Sequence, residues 1–448
     1  MNSLWTQLKE YRSKTIFEVI NNFSWLSIDK IIRLAAGVII FGWMARYLGP
    51  DNFGLYNYSI AFIALFSAFT TLGLSGIIVR DLVRNPNQKN EILGTVFGMK
   101  LIGAFLGFIL VVMTALVVHQ GDSETPRYVT IIAIGIFFQP FTTIDLWFQS
   151  QIKSKYVVIP SSISFIFTSL AYILSIITEQ SLQMFLWITV GGSFLNAVGL
   201  LVAYVITHTK RSVWRFRISK AGELLGQSWL LILSGFGAMI NLKIDQVMIG
   251  RMIDSNEVGV YSAAVRLSEV WYFVPTFIVI SVFPILIKSR EKNKIEYQNR
   301  VQRLYDLMVF LALLVAIIVT LFAKPVINLI YGQEYQEAAP ILSIHIWAGI
   351  FIFMGEALSK WIINEDLLFI SPIRHGIGGI VNIVLNIFLI PLMGGLGAAI
   401  STVVSYATSS YLICFIHPKT RNAGKMMTRS LFFPFRLILA GVRQIYLG

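Results

Sequence analysis

The chain has 448 residues, of which 56% are hydrophobic and only 13% are charged, and it carries a net charge of +13. A soluble protein needs about 25% charged residues to cover its surface, so this composition excludes a soluble domain. Only helices or closed barrels can span a bilayer, because backbone polar groups must be satisfied internally in lipid. Residues 304–329 are apolar without the alternation of a barrel strand. The sequence therefore predicts an all-α membrane protein.

Twelve membrane-spanning helices are predicted, because each apolar run approaches or exceeds the roughly 18 residues that cross a bilayer. The basic, amphipathic N-terminal segment before them lacks the features of a cleaved signal peptide, so we expect it to be retained. The first six predicted spans are residues 24–46, 53–79, 92–118, 128–149, 156–177 and 182–207. The other six are residues 224–252, 258–287, 304–330, 338–363, 367–392 and 395–416.

The positive charges between these spans alternate strictly between the two sides of the membrane. One side carries 27 of the 36 lysines and arginines, five lie inside spans, and the other side carries only Arg46, Arg127, Arg251 and Lys324. Cytoplasmic loops are rich in Lys and Arg, so both termini are predicted to be cytoplasmic. The net positive charge thus reflects membrane topology, and nothing else in the sequence supports nucleic-acid binding.

A short internal repeat divides the chain into two halves. Residues 46–57 (RYLGPDNFGLYN) and 251–262 (RMIDSNEVGVYS) share Arg, Gly and Tyr, and each copy joins the first and second span of its half. This predicts parallel six-helix lobes over residues 1–207 and 224–417, with a cleft between them. A basic linker, residues 208–223, joins the lobes. Gly54 and Gly259 are expected to supply unusual φ values where a tight turn re-enters a helix.

The tail, residues 418–448, is predicted to be cytoplasmic. Residues 430–447 are apolar but are interrupted by Pro434, Arg436 and Arg443, which argues against a thirteenth span. We expect them to form an interfacial amphipathic helix on the cytoplasmic leaflet.

We single out ten ionisable residues within the predicted spans as candidates for a site. An ionisable group at mid-membrane costs roughly 2.5–3.5 kcal/mol, so each should face a partner, a cavity or the headgroups. The basic residues are candidates for binding an anionic substrate in a cationic cavity, and they are Lys30, Arg33, Lys100, Lys243 and Arg266. The acidic residues are candidates for ion coupling or gating, and they are Asp29, Asp145, Asp245, Glu269 and Glu356.

Helical spacing predicts some of their partners. Asp29 and Arg33 stand four residues apart and can pair on one helix face, and Arg266 and Glu269 can pair in the same way. Lys243 and Asp245 are two apart, so each needs a partner on another helix or in water. Lys30, Arg33 and Lys100 lie near cytoplasmic helix ends. Their side chains could therefore extend to the lipid headgroups instead of facing a cavity.

Catalytic and metal-binding patterns are poor. The five histidines are scattered without metal-ligand spacing, and there is no P-loop. Serines in GLSG and SSIS have no partnered base that the sequence can show. The single cysteine, Cys414, is expected to be an apolar packing residue. The sequence thus predicts neither an enzyme nor a cofactor.

Four stretches resemble the Wzx-type polysaccharide flippases of the multidrug/oligosaccharidyl-lipid/polysaccharide exporter superfamily. They are residues 22–62, which include NFSWLSIDKIIRLAAG and ARYLGPDNFGLYNYSIAF, residues 71–86 (TLGLSGIIVRDLVRNP), residues 244–275 (IDQVMIGRMIDSNEVGVYSAAVRLSEVWYFVP) and residues 396–406 (LGAAISTVVSY). The resemblance implies a two-lobed, twelve-helix carrier in the bacterial inner membrane that works by alternating access. Its implied substrate is an undecaprenyl-pyrophosphate-linked oligosaccharide for O-antigen, capsule or exopolysaccharide.

The resemblance also implies coupling to a proton or sodium gradient, and contact with a polysaccharide polymerase. It assigns the pyrophosphate to Lys30, Arg33, Lys243 and Arg266, and coupling to Asp245. Alternatives are a multidrug exporter or a lipid II flippase of the same superfamily, although the latter usually has two further helices. A membrane-embedded polymerase or ligase is disfavoured, because such enzymes carry a long outer loop and every predicted outer loop here is short.

Overall fold

The computed structural model of the chain describes residues 2–207, 213–433 and 436, with side chains from Asp29 onward. Throughout these residues the chain is helical and contains no β-strand. The helices of the first half are α1 (Asn2–Leu65), α2 (Ser67–Thr71), α3 (Ser75–Arg84), α4 (Lys89–Val118), α5 (Glu124–Ala133), α6 (Thr142–Ser150), α7 (Lys155–Ile177) and α8 (Leu182–Thr207). Those that follow are α9 (Ile218–Met252), α10 (Ser255–Glu269), α11 (Phe273–Lys292), α12 (Lys294–Ile330), α13 (Ala338–His345), α14 (Ala348–Asn364), α15 (Ile370–Ala407), α16 (Ile413–Ile416) and α17 (Arg421–Leu431).

Ten helical segments of the described residues are long and apolar enough to cross a membrane. Two of them are interrupted by a glycine, Gly49 with φ 70° and Gly394 with φ 57°. These φ values lie in the left-handed region that favours glycine. Pro50 follows Gly49 and suits the first turn of the restarting helix, where its missing N–H has no partner to lose. Dividing both segments at the glycine gives the twelve predicted spans, so the predicted fold class is confirmed.

Two predicted spans are less regular than their composition suggests. The second span breaks after α1, and its chain turns at Leu72 and Gly73, which both have positive φ, before α3 begins. The fourth span contains a 3-10 stretch, Ile134–Phe141, between α5 and α6. Pro140 lies in this stretch and lacks the N–H that an α-helix would need.

The chain forms two compact units. The first comprises the described residues up to Tyr47 together with Phe62–Ile232, and the second comprises Leu48–Ala61 and the described residues from Leu233 onward. The turn and helix start after Gly49 therefore belong to the second unit, although the residues on both sides of them belong to the first.

The two copies of the sequence repeat contact each other inside the second unit. A Cβ atom on Gly54 would lie 1.7 Å from the backbone oxygen of Ser255, and one on Gly259 would lie 2.0 Å from that of Pro50. Neither glycine has a positive φ. The expectation that they supply unusual φ values was wrong: both are needed because two backbones meet there without room for a side chain.

The tail begins with α17, which is amphipathic. Ala423 and Met427 are buried, whereas Arg421, Lys425 and Arg429 follow each other at four-residue spacing on the exposed side. Most of the interfacial helix predicted at residues 430–447 lies outside the described residues. Part of the predicted basic linker, residues 208–212, lies outside them as well, and α9 begins six residues before the predicted seventh span.

Candidate functional site

The Asp29–Arg33 pair joins α1 to α7 within the first unit. Arg33 Nε donates to Asp29 Oδ1 at 2.9 Å, as the four-residue spacing predicts. The Ser162 hydroxyl of α7 donates to the same carboxylate oxygen at 2.6 Å. The Arg33 guanidinium also lies 5.7 Å from the centroid of the Phe165 ring. Arg33 remains 27% exposed, so its charge is held in place without being buried, and the Lys30 side chain beside it is exposed.

Lys100 lies in the interior of the first unit. Its side chain is only 3% exposed, and its Nζ donates to Thr142 Oγ1 at 3.0 Å. Asp145, one helical turn after Thr142, accepts a hydrogen bond from Gln149 at 2.9 Å. The structure therefore does not place Lys100 where it would extend to the headgroups.

Lys243 and Glu269 form an ion pair between α9 and α10 of the second unit. Lys243 Nζ lies 3.1 Å from Glu269 Oε1, and the side chains are 18% and 26% exposed. The need of Lys243 for a partner on another helix is thus confirmed. Helical spacing had paired Glu269 with Arg266. In the structure Lys243 donates to both oxygens of the Glu269 carboxylate, and Arg266, on the same helix as Glu269, is partly exposed.

Asp245 is the centre of a buried polar cluster in the second unit, which we call the Asp245 cluster. The Tyr261 hydroxyl donates to Asp245 Oδ2 at 2.7 Å, and Asn386 Nδ2 donates to Oδ1 at 2.7 Å. Thr402 donates to Oδ2 as well. Asn386 Nδ2 also lies 3.1 Å from Asn382 Oδ1. These residues come from α9, α10 and α15.

The Asp245 carboxylate is surrounded by uncharged hydrogen-bonding groups. Among the described residues, no lysine, arginine or histidine nitrogen lies within 4.0 Å of the Asp245 carboxylate, although the residue is only 3% exposed. A buried carboxylate without a cationic partner is costly, and protonation or a bound cation removes that cost. Hard cations prefer the carboxylate, amide and hydroxyl oxygens that Asp245, Asn382 and Thr402 present. Asn386 Oδ1 and Asn382 Nδ2 have no hydrogen-bond partner, so the cluster has unused polar capacity.

Sequence reasoning missed most of this cluster. Asn382 and Asn386 are four residues apart and therefore share a face of an otherwise apolar helix, which is the signal that was available. It also missed His345, whose Nδ1 lies 2.9 Å from Ser268 Oγ and whose ring meets that of Tyr261 edge to face. The described residues contain no group of three or more His, Cys, Asp or Glu that could hold a metal ion.

Arg374 is a second residue whose buried position the sequence did not reveal, because it was counted among the 27 basic residues of the predicted cytoplasmic side. It is only 4% exposed within the second unit, and its guanidinium donates to Ser359 Oγ at 2.6 Å. Its Nε has no hydrogen-bond partner. Glu356, a predicted coupling candidate, stands on the same helix as Ser359 and is partly exposed.

Comparison with protein families gives one match that covers most of the chain. A family model described as "Polysaccharide biosynthesis protein" matches residues 43–340. A protein of Shigella flexneri that is named as an O-antigen transporter is 23% identical, over 90% of this chain and 98% of that protein. The capsular polysaccharide biosynthesis protein CapF of Staphylococcus aureus is 20% identical, over 86% of this chain and 96% of that protein.

Solved structures share the fold. The lipid II flippase MurJ in an inward closed conformation has a TM-score of 0.70 at 16% identity, over 94% of this chain and 93% of its own. An inward-facing multidrug resistance MATE family transporter of the MOP superfamily has a TM-score of 0.68 at 14% identity, over 91% of this chain and 99% of its own. At these identities the likeness establishes the fold only, and it agrees with the predicted all-α membrane fold.

Proposed function

Because the chain belongs to the polysaccharide biosynthesis protein family, we propose that it moves lipid-linked oligosaccharides across the bacterial inner membrane. The proposed cargo is an undecaprenyl-pyrophosphate-linked repeat unit for a surface polysaccharide. Relatives that match most of the chain are named as an O-antigen transporter and a capsular polysaccharide biosynthesis protein, and the MurJ neighbour is titled a lipid II flippase. We place both termini in the cytoplasm from the distribution of positive charge.

The proposal rests on the pairing and the partial exposure of two cations within the membrane spans. Arg33 and Lys243 are each fixed by one carboxylate and remain partly exposed, so neither charge is shielded completely. A partly exposed cation can donate further hydrogen bonds to an anionic ligand, and a pyrophosphate offers several acceptor oxygens. In the proposed mechanism, Lys30 and Arg33 of the first unit and Lys243 and Arg266 of the second contribute to pyrophosphate binding in an alternating-access cycle.

We assign ion coupling to the Asp245 cluster. A proton or a sodium ion would neutralise the buried carboxylate and allow the hydrogen bonds from Tyr261, Asn386 and Thr402 to rearrange. Because those residues lie on three helices, occupancy of the site would alter the packing of α9, α10 and α15 together. A ligand shifts a conformational equilibrium only by its differential affinity for the two states, and a site built from several helices can supply that difference.

A multidrug exporter is the second candidate function, because MATE family transporters share the fold. An exporter of cationic drugs would present unpaired carboxylates to its cavity. Here Asp29 and Glu269 are paired with Arg33 and Lys243, so neither carboxylate is left unpaired for a cationic drug. We propose no catalytic step. Contact with a polysaccharide polymerase remains part of the proposal.

Proteoliposomes test the proposal. Purified protein is reconstituted with an undecaprenyl-pyrophosphate-linked oligosaccharide, and its appearance in the opposite leaflet is followed with a membrane-impermeant lectin. We expect transport by the wild type and at least tenfold slower transport by Arg33→Ala and Lys243→Ala, whereas the control Lys324→Ala, on the predicted outer side, keeps the wild-type rate. Transport of cationic dyes but not of the lipid-linked sugar would identify an exporter instead.

A proton or sodium gradient imposed across the same vesicles tests the coupling. We expect an acceleration in the wild type and none in Asp245→Asn. A wild-type rate that is independent of both gradients would rule out ion drive.

A further inference from the structure

An apolar groove runs between α7 and α8 on the first unit. We call it the α7–α8 groove, and it encloses about 400 Å³. Its walls include Ile159, Ile163, Phe167, Val198, Val202 and Ile206. Pro160 and Gly199 also line it, and they bring the two helices close together: a Cβ atom on Gly199 would lie 2.7 Å from Pro160 Cβ. The groove is therefore a concave surface, and the two helices are closely packed along its floor.

One end of the α7–α8 groove is basic. Tyr156 lines that end, and the Nζ atom of its neighbour Lys155 lies 5.0 Å from the Tyr156 ring centroid. Lys89 Nζ lies 5.3 Å from the ring of Tyr204, which follows the lining residue Ala203. In the proposed orientation this is the cytoplasmic end, where a lipid-linked substrate is collected, and the rest of the groove extends into the hydrocarbon of that leaflet.

Another face of α7 contacts Arg33, one of the proposed pyrophosphate-binding residues, and its carboxylate partner Asp29. Ser162 bonds to Asp29, and Phe165 lies against the Arg33 guanidinium, whereas Ile159 and Ile163, which bracket Ser162, line the groove. A single stretch of α7 thus separates a charged site from an apolar channel. A molecule with an anionic head and a long apolar tail can bind the charged site with its head and the groove with its tail.

We propose that the α7–α8 groove receives the polyprenyl tail of the lipid-linked substrate while its pyrophosphate is held by the cations of the same unit. This inference rests on the proposed function and adds a site for the part of the substrate that stays in the membrane. In hydrocarbon the tail gains no hydrophobic driving force on entering the groove, so its binding depends on close packing contacts. A prenyl chain has a fixed double bond in every isoprene unit, so it loses less conformational entropy per chain carbon in such a concavity than a saturated acyl chain does.

Groove-filling substitutions with matched controls test the proposal. Ile163→Trp and Val202→Trp place a large side chain in the groove. Ile166→Trp and Leu201→Trp place the same side chain on the same helices at similarly exposed positions that do not line it. Full-length protein in nanodiscs is titrated with undecaprenyl pyrophosphate, with inorganic pyrophosphate, and with phosphatidylglycerol.

We expect the two groove variants to bind undecaprenyl pyrophosphate about tenfold more weakly than their controls, which corresponds to ~1.4 kcal/mol. Their affinity for inorganic pyrophosphate should be unchanged. Equal affinities of groove and control variants for undecaprenyl pyrophosphate would overturn the tail site while leaving the proposed function standing. Equal weakening of phosphatidylglycerol binding would overturn it too, because the groove would then be an ordinary acyl-chain site. A wild type that binds neither pyrophosphate compound would overturn the proposed function itself.

A second variant guards against misfolding of the tryptophan variants. Ile163→Cys, labelled with a thiol-reactive benzophenone, should crosslink to radiolabelled undecaprenyl pyrophosphate after illumination, and the same label at Ile166→Cys should not. Equal crosslinking from both positions would contradict the proposal.

Discussion

The contact between Gly54 and the Ser255 backbone gives a prediction whose size can be worked from the structure. In Gly54→Ala the new methyl group would lie 1.7 Å from a backbone oxygen, about half the usual carbon–oxygen contact distance of 3.3–3.6 Å. A backbone oxygen cannot rotate away as a side chain does, so the two segments must separate. Overpacking in a well-packed interior costs typically 1–3 kcal/mol, and we expect about 3 kcal/mol here.

Gly37→Ala is the matched control for this substitution. Gly37 lies on the same helix, α1, and a Cβ atom there would have no neighbour within 4 Å. Both substitutions add the same helix propensity, about 1 kcal/mol in favour of the helix, so their difference isolates the close contact. Hydrogen–deuterium exchange of residues 48–61 and 255–262 is the assay, performed on the purified protein.

We expect exchange in these segments to rise about 30-fold over the wild type in Gly54→Ala and not to rise in Gly37→Ala. The helix propensity offsets about 1 of the 3 kcal/mol in Gly54→Ala, and the remaining loss of about 2 kcal/mol corresponds to about a factor of 30 in the opening equilibrium. Identical exchange in both variants, with unchanged thermal unfolding, would refute the reasoning that backbone approach is what requires glycine at this position.

Further predictions concern the polar contacts within each unit. Tyr261→Phe removes a hydrogen bond that stabilises the ionised Asp245 carboxylate, so a coupling proton should bind about tenfold more tightly, and the pH-dependent shift of the melting temperature should move to higher pH. Lys243→Met leaves the Glu269 carboxylate unpaired and should lower the free energy of unfolding by about 1–2 kcal/mol. The double variant Lys243→Met with Glu269→Gln should recover most of that loss. Additive effects in the double-mutant cycle would contradict the pairing. Ser162→Ala should cost about 1 kcal/mol in thermal unfolding, because it removes the bond between α7 and α1, and an unchanged melting temperature would show that this bond contributes nothing.

Local information in the sequence was sufficient for the helices and for contacts within one helix. Long apolar runs gave the spans, and the spacing of Asp29 and Arg33 gave their ion pair. The interruption at Gly394 was anticipated as a short connection between two spans. These features depend on residues close together in the chain, where helical periodicity fixes which side chains meet.

Contacts between distant residues could not be predicted in the same way. The partners of Asp245 stand up to 157 residues away, and the partner of Lys243 stands 26 residues away on the next helix. Periodicity showed that Lys243 needed a partner elsewhere without showing which one. The close approach at Gly54 was invisible for the same reason, because a helix-compatible glycine gives no sign of the backbone that lies against it.

The membership of Leu48–Ala61 in the second unit has a consequence for the integrity of the two halves. This segment contributes Phe53, which is fully buried and lies edge to face with Tyr335, to a unit built otherwise from residues that follow Ile232. A polypeptide that starts after the linker would lack that piece of its own interior. The N-terminal and C-terminal halves, when coexpressed, should therefore complement each other. The C-terminal half made alone should be less stable than the N-terminal half made alone.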